Sequence, residues 1–269
     1  MPWTETARLA SGPDRIECFV ARPAAPSPGG PALLIVHGHQ FPERPGGRHA
    51  LPEGALDRFT TQGWTVAAPS QPGYGESTGP PDMCGPRTQA AIRAAFTRLL
   101  AGSADPARSV VWGISRGAMA AACAFQKPLE PALLILQAGT YDLSAWVAWV
   151  AAGAPGGDPD TARAILANQC REMGDAPAAL AARSGLRFAS RGSCDVLLVH
   201  GGADPQAPRG DLEAMRTALA DAGRRTALAV EDGAGHRLSG GFALRAARTF
   251  RPDLGLPAPG REPRHPSPR

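Results

Sequence analysis

A serine lies at the centre of the pattern Gly-Ile-Ser-Arg-Gly, at residues 113–117. The pattern follows an apolar run at residues 109–112 and precedes a stretch of small residues at 118–122 that favours a helix. In a strand–turn–helix arrangement, the flanking glycines let neighbouring backbone pass close to a strained turn. The turn also presents the hydroxyl at a helix N-terminus, where free N–H groups favour developing negative charge. The spacing therefore predicts that Ser115 is a nucleophile.

A serine hydroxyl is a weak nucleophile, and it needs a base that is itself oriented by an acid. His236 follows the strand-like run at residues 226–230 and a Gly-rich turn, before the last predicted helix. Asp204 ends a Gly-rich turn after the apolar run at residues 195–200. We expect His236 to be the base and Asp204 the acid. Asp142, which follows the preceding apolar run, is the rival acid.

Short apolar runs alternate with Ala- and Arg-rich helical stretches along the chain. This alternation predicts an α/β protein with a mostly parallel sheet that helices cover on both faces. Residues 5–9 and 15–21, on either side of a Ser-Gly-Pro-Asp turn, predict an N-terminal antiparallel hairpin. Functional groups in such sheets lie beyond the carboxyl ends of the strands, so we expect the three turns to meet at one edge. The expected buried strands are residues 32–36, 64–68, 109–112, 132–137, 195–200 and 226–230.

The segment between the apolar runs at residues 132–137 and 195–200 is far longer than a crossover connection between parallel strands needs. We expect this insertion, about residues 141–192, to form a small helical cap over the edge of the sheet. Trp146 and Trp149 give one of its helices an apolar face, which either packs the cap onto the sheet or lines a substrate pocket above the serine. The folded domain is expected to span residues 1–250. Residues 251–269 are rich in proline and lack apolar periodicity, which predicts a disordered tail.

The composition, with 43% hydrophobic and 19% charged residues, is typical of a soluble globular protein. The formal net charge is +4, but the arginines are scattered among acidic residues and no basic run is interleaved with aromatic residues. We therefore expect no nucleic-acid partner. No apolar run has the length to span a bilayer, and the first residues lack the layout of a signal peptide. These features predict a cytoplasmic protein.

The residues that could bind a metal are few and poorly spaced. The five cysteines show no CxxC spacing, which predicts neither a disulfide framework nor a zinc site. His37 and His39 could supply half of a metal site, but only His49 follows nearby as a third ligand. We expect no metal and no cofactor.

Taken together, four short motifs resemble the α/β-hydrolase superfamily. They are His37-Gly38, the Gly-x-Ser-x-Gly pattern, the Asp204 turn and Gly235-His236. The order Ser, Asp, His along the chain is also that of this fold. The resemblance covers nearly the whole chain and implies an oxyanion hole built from two backbone N–H groups. The first would come from Arg116, and the second from His39 or, alternatively, Gln40.

Two segments resemble the catalytic domains of dienelactone hydrolases and prolyl oligopeptidases. They are residues 199–204 (Val-His-Gly-Gly-Ala-Asp) and residues 69–77, which are similar to the D-x-R-G-x-G-x-S run of these families. Ser70 and Pro72 stand where that run usually has Asp and Arg. The chain also leaves no room for the β-propeller of the large peptidases. This departure favours an esterase over a peptidase.

The expected function is that of an esterase-like serine hydrolase acting on a small acyl substrate without a cofactor. The alternative is a peptidase, amidase, acyltransferase or thioesterase that uses the same triad. A third hypothesis is a non-catalytic binding protein on this fold, although such proteins have usually lost a triad member.

Overall fold

The apolar runs of the sequence form the strands of one sheet. The computed structural model of the chain describes residues 3–40, 43–51, 55–102, 104–173, 176–239 and 241–260. Within these residues the strands are β1 (Glu5–Ser11), β2 (Asp14–Ala21), β3 (Gly30–Val36), β4 (Thr65–Pro69), β5 (Ala104–Ile114), β6 (Leu133–Gln137), β7 (Asp195–Gly201) and β8 (Thr226–Glu231). They are arranged in the order β1-β2-β4-β3-β5-β6-β7-β8.

The N-terminal end of the sheet is antiparallel and the rest is parallel. β1 and β2 form the predicted hairpin, in which Ser11 pairs with Asp14 across a two-residue turn. Gly12 in this turn has a φ of 57°, a left-handed value that glycine adopts without a steric penalty. β2 then pairs antiparallel with β4, and the other neighbouring strands are parallel. The predicted fold class is confirmed.

Helices cover both faces of the sheet, and alternate residues of the central strand β3 show this directly. Leu34 belongs to an apolar cluster that includes Ile92, whereas its neighbour Ile35 belongs to a second cluster that includes Leu244. The helices are α1 (Ala55–Thr60), α2 (Pro86–Ala101), α3 (Arg116–Ala124), α4 (Leu143–Ala151), α5 (Pro159–Met173), α6 (Pro177–Ala181), α7 (Arg209–Asp221) and α8 (Phe242–Phe250). No helix in the described part of the chain is long and apolar enough to cross a membrane.

The insertion between β6 and β7 is helical, as its length and composition predict. It contains α4, α5, α6 and a 3₁₀ turn at Gly185–Arg191, while residues 174–175 of the predicted cap lie outside the described residues. Leu143, Trp146 and Val150 of α4 are buried in the same apolar cluster as α3. The indole N–H of Trp146 also donates to the carbonyl oxygen of Gln206, at 2.9 Å. The cap is therefore packed against the sheet by its apolar face.

The segment after α8 differs from the predicted disordered tail over its first ten residues. Pro252–Leu254 form a 3₁₀ turn, and Leu254 and Leu256 are buried against the cluster that contains α8. Arg251 forms a 3.0 Å ion pair with Asp195 at the start of β7. Two leucines among the prolines supply the apolar anchors that composition alone does not reveal. The rest of the predicted tail, residues 261–269, lies outside the described residues.

Candidate active site

Ser115 occupies the sharp turn between β5 and α3. Its φ of 54° and ψ of −121° form a strained conformation for a residue with a side chain, at a cost of about 1–3 kcal/mol. The turn is possible because glycines stand two residues before and two residues after the serine. A Cβ at Gly113 would lie 2.5 Å from the carbonyl oxygen of Gly117, and one at Gly117 would lie 2.1 Å from that of Val36. The glycines of the motif are thus required by close backbone packing around the serine.

The three residues predicted to form a triad lie in hydrogen-bonding order. Ser115 Oγ is 2.8 Å from His236 Nε2. His236 Nδ1 lies 2.9 Å and 3.1 Å from the two carboxylate oxygens of Asp204. Because an ionised carboxylate only accepts hydrogen bonds, Nδ1 carries the proton, and the lone pair of Nε2 faces the serine hydroxyl. In this tautomer the imidazole can take the serine proton.

The Asp204 carboxylate is completely buried, yet it is held in its charged form. Burial disfavours the charge, but the hydrogen bond from His236, the charge that this ring carries when protonated, and the N–H of Gln206 outweigh it. The net effect lowers the pKa of Asp204 below its ordinary value. The N–H groups of Gln206 and Ala207 donate to Oδ1 at 2.8 Å and 3.2 Å. The turn after β7 thus fixes the carboxylate toward the imidazole.

Asp142, the rival acid, has a different role in this structure. Its side chain accepts a 3.0 Å hydrogen bond from the N–H of Ala145 and caps the N-terminus of α4. Its own N–H donates to Asp211 at 2.6 Å. The structure therefore brings Asp204, and not Asp142, against His236.

The loop after β3 passes directly beside the serine. A Cβ at Gly38 would lie 3.0 Å from the carbonyl oxygen of Ile114 and 3.2 Å from the Cβ of Ser115. His39 follows and lines the same cavity as Ser115 and Arg116. Gln40, the alternative donor residue, is tied by both ends of its side-chain amide to Gly46. The residues expected to form the oxyanion hole are thus gathered around the serine.

A cavity of about 580 Å³ opens above Ser115 and His236. Trp146 of the cap lines it, together with Leu143 and Ile165, so the expectation that this tryptophan faces a pocket agrees with the structure. Trp149 does not line the cavity; its ring packs on the backbone of residue 157, where a Cβ would lie 2.7 Å from the ring. The prediction of Trp149 as a substrate-binding residue is therefore corrected. Its ring lies beside that of Trp146, with 6.5 Å between the centroids, but its indole N–H donates to the carbonyl oxygen of Pro155 at 3.2 Å, away from the cavity lining.

Cap helix α5 contributes polar groups that the sequence analysis did not single out. Glu172 and Arg116 form a buried ion pair with 2.5 Å between Oε2 and Nη2. One turn earlier, Asn168 lies 2.8 Å from Nε2 of His39. The spacing of 168 and 172 places both on one helix face. In sequence these residues are ordinary polar positions of a helix, so no local signal marks them.

The described residues around the serine show no arrangement that calls for a metal. Among the described stretches of the chain, no group of three or more His, Cys, Asp or Glu side chains could hold a metal ion. His37 is buried; its Nε2 accepts the N–H of Gln71 at 3.1 Å, and its Nδ1 donates to the carbonyl oxygen of Gly38 at 2.9 Å. Desolvation lowers the pKa of His37 to about 4. This histidine is a neutral structural link between two loops.

Comparisons with known proteins show the same fold. A puromycin-hydrolyzing peptidase from Mycobacterium tuberculosis is 25% identical, with a TM-score of 0.73 over 96% of this chain and 40% of that protein. The acylaminoacyl peptidase of Pyrococcus horikoshii is 19% identical, with a TM-score of 0.71 over 94% of this chain and 42% of that protein. The chain therefore spans about two fifths of the length of these peptidases.

A shorter relative in structure is an acetyl xylan esterase from Paenibacillus sp. R4, which is 17% identical with a TM-score of 0.66, over 94% of this chain and 89% of the esterase. A sequence search of curated proteins finds no match. The sequence profile of the prolyl oligopeptidase family matches residues 89–249, which include β5 to β8, all but the last residue of α8 and the Ser115, Asp204 and His236 turns. The chain therefore belongs to the prolyl oligopeptidase family and has the α/β-hydrolase fold.

Proposed function

We propose that the chain is a serine hydrolase that transfers the acyl group of its substrate first to Ser115 and then to water. The observation that carries this proposal is the 2.8 Å contact between Ser115 Oγ and His236 Nε2, with Asp204 holding the opposite ring nitrogen. A nucleophile, a base and an orienting acid in hydrogen-bonding order form the arrangement needed for acyl transfer. The position of Ser115 on a strained turn beside an open cavity supports the same conclusion.

The proposed reaction has two halves. In the first, Ser115 Oγ attacks the substrate carbonyl while His236 Nε2 takes the hydroxyl proton. The negative oxygen of the tetrahedral intermediate would accept hydrogen bonds from the N–H groups of Arg116 and His39. The C–X bond then breaks, and the imidazolium gives its proton to the leaving group. In the second half, His236 deprotonates a water that attacks the acyl-enzyme, and the carboxylic acid leaves with Ser115 restored.

The bond that is cleaved is a finer part of the proposal. Membership of the prolyl oligopeptidase family favours amide or peptide substrates over the esters that the sequence motifs favour. The similarity to an acetyl xylan esterase of nearly the same length keeps ester cleavage as the second candidate. The departure at Ser70 and Pro72 does not remove the chain from the family. A cavity of about 580 Å³ suits a small acyl compound or a short peptide.

The test combines active-site labelling with a substrate panel. A fluorophosphonate probe should label the wild-type chain and should leave Ser115→Ala unlabelled. The panel contains p-nitrophenyl esters of short and long acids beside aminoacyl and N-acylaminoacyl p-nitroanilides. Cleavage of anilides supports the peptidase or amidase assignment, and cleavage of esters alone supports the esterase assignment. Equal labelling of Ser115→Ala, or activity that survives in it, would overturn the proposed mechanism.

A further inference from the structure

The side-chain amide of Gln169 is an unusual feature of the cavity wall. Gln169 lies on α5 and is only 6% exposed, and it lines the same cavity as Ser115. Its Oε1 atom is covered and has no hydrogen-bond partner among the described residues. Buried polar atoms are nearly always paired, and leaving one unpaired destabilises the protein. A group of this kind in the wall of the cavity that holds Ser115 therefore points to a ligand.

Two other glutamines that line the same cavity differ from Gln169, because their amides form hydrogen bonds within the protein. Gln40 uses Oε1 and Nε2 to hold the backbone of Gly46, at 2.7 Å and 3.1 Å. The Oε1 of Gln137 accepts the indole N–H of Trp112 at 3.0 Å. These amides are occupied by structural hydrogen bonds. The Oε1 atom of Gln169 has no such bond among the described residues. It can therefore hydrogen-bond to a substrate without breaking a bond that stabilises the fold.

The helix that carries Gln169 is firmly held over the serine. On one side of α5, Asn168 contacts His39 and Glu172 pairs with Arg116. On the side that lines the cavity, Ile165 and Gln169 stand one turn apart. Because Asn168 and Glu172 fix the rotation of α5, the direction of the Cα–Cβ bond of Gln169 is also fixed. The buried side chain is thus confined to the cavity wall before a substrate binds, which reduces the entropic cost of binding.

The chemistry of the group defines what it can recognise. A primary amide offers an acceptor and donors, and rotation about its last side-chain bond exchanges the two ends. It carries no charge, so it cannot compensate the desolvation of a carboxylate or an ammonium group. We propose that Gln169 is a specificity-determining residue that hydrogen-bonds to a neutral polar group, such as an amide, in the acyl half of the substrate. This inference rests on the proposed acyl-enzyme function.

A series of p-nitrophenyl esters of equal chain length tests the proposal. The acyl groups are N-acetylglycyl, 4-oxopentanoyl, which lacks the N–H, and pentanoyl, which lacks both polar groups. Each kcat/KM is divided by the rate of hydroxide-catalysed hydrolysis of the same ester, which removes differences in intrinsic reactivity. We expect the wild type to favour N-acetylglycyl over pentanoyl by about 10- to 100-fold, the range of one buried hydrogen bond. Gln169→Met, which keeps the length of the side chain, should bring this ratio close to one.

The control variant is Gln62→Met, which makes the same change at an exposed turn and should keep the wild-type ratio. A wild type without preference, or an unchanged ratio in Gln169→Met, would overturn the role of Gln169. In either case, fluorophosphonate labelling of Ser115 and hydrolysis of the pentanoyl ester would leave the proposed function standing. Absence of both labelling and hydrolysis would instead overturn the proposed function, and this inference with it. If Gln169→Met fails to fold, the wild-type ratio of N-acetylglycyl to pentanoyl ester alone tests the proposal, and a ratio close to one overturns it.

Discussion

The carboxylate of Glu172 in the cap lies 2.5 Å from the guanidinium of Arg116, the residue that follows the nucleophile. Both side chains are 3% exposed. Arg116 also donates to the hydroxyl of Tyr74 at 3.0 Å, and Arg44 lies 3.4 Å from the other oxygen of Glu172. The cap and the turn that carries Ser115 are therefore joined by a buried charge pair. The side chain of Arg116 therefore binds the cap, whereas its backbone N–H is the expected donor to the proposed oxyanion.

Glu172→Gln should destabilise the chain and impair turnover. The change leaves the Arg116 guanidinium buried without its counter-charge, and breaking a buried pair from one side costs about 3–5 kcal/mol. Displacement of Arg116 would also move the N–H expected to stabilise the intermediate, so kcat should fall more than KM rises. Urea unfolding and steady-state kinetics measure the two effects.

Glu213→Gln is the matched control for this prediction. Glu213 pairs with Arg216 at 2.8 Å, but the two side chains are 36% and 53% exposed, and an exposed pair contributes at most about 1 kcal/mol. If Glu172→Gln is no more destabilising than this control, the buried pair does not join the cap to the serine turn.

The assignment of the acid can be tested by two Asp-to-Asn changes. Asp204→Asn keeps the approximate shape of the side chain but no longer fixes the His236 tautomer. The expected loss in kcat is about 10⁴-fold. Asp142→Asn should cost far less, because that carboxylate caps α4 and an N-cap is preserved well by Asn. A severe loss of kcat in Asp142→Asn, with only a mild loss in Asp204→Asn, would instead identify Asp142 as the acid of the triad.

The serine turn and its two partners could be predicted because their signals are local. Ser115, Asp204 and His236 each lie in a glycine-containing turn after an apolar strand, and parallel strands bring such turns to one edge. The fold followed from the same alternation of strands and helices. The antiparallel hairpin was predictable from its turn residues. In each case, a few adjacent residues carry the information.

Contacts across the cap could not be predicted in this way. Arg116 and Glu172 are far apart in sequence, and a polar residue on a helix normally faces solvent. Helical periodicity gave α4 an apolar face but could not decide which of Trp146 and Trp149 reaches the cavity.

Ser70 stands where the related families usually have Asp. Its hydroxyl donates to the buried carboxylate of Glu17 on β2 at 2.8 Å. A carboxylate from another strand therefore lies beside this loop, a contact that the sequence around Ser70 does not indicate.

Trp146→Phe and Trp149→Phe should differ in their effect on acyl-chain preference. Trp146 lines the cavity, and a smaller ring there would make room for longer acyl groups. A fitted apolar contact contributes about 1–3 kcal/mol to discrimination, so the ratio of kcat/KM for long and short acyl esters should shift about tenfold or more. Trp149→Phe should keep the wild-type ratio. Equal shifts in both variants would contradict the finding that Trp146 lines the cavity and Trp149 does not.

The segment after α8 should contribute to stability. A chain that ends at residue 250 lacks Leu254 and Leu256, which are 1% and 2% exposed. Each buried leucine stabilises by about 1.5–3 kcal/mol, and the Arg251–Asp195 pair is lost as well. A chain that ends at residue 260 is the reference for the comparison. Equal free energies of unfolding for the two chains would restore the prediction that residues 251–260 belong to a disordered tail.

The stability of the fold should decrease between neutral and mildly acidic pH, in part through His37. Desolvation lowers the pKa of this histidine from 6.5 to about 4, so below about pH 6.5 the unfolded chain binds a proton that the folded chain does not. The free energy of unfolding therefore falls as the pH decreases, and the contribution of His37 between about pH 7.5 and pH 5 is about 2 kcal/mol. His37→Gln keeps an acceptor for the N–H of Gln71 but cannot titrate. Urea unfolding at both pH values should show a loss about 2 kcal/mol smaller in the variant than in the wild type. An equal loss in the two proteins would assign the acid sensitivity to other groups.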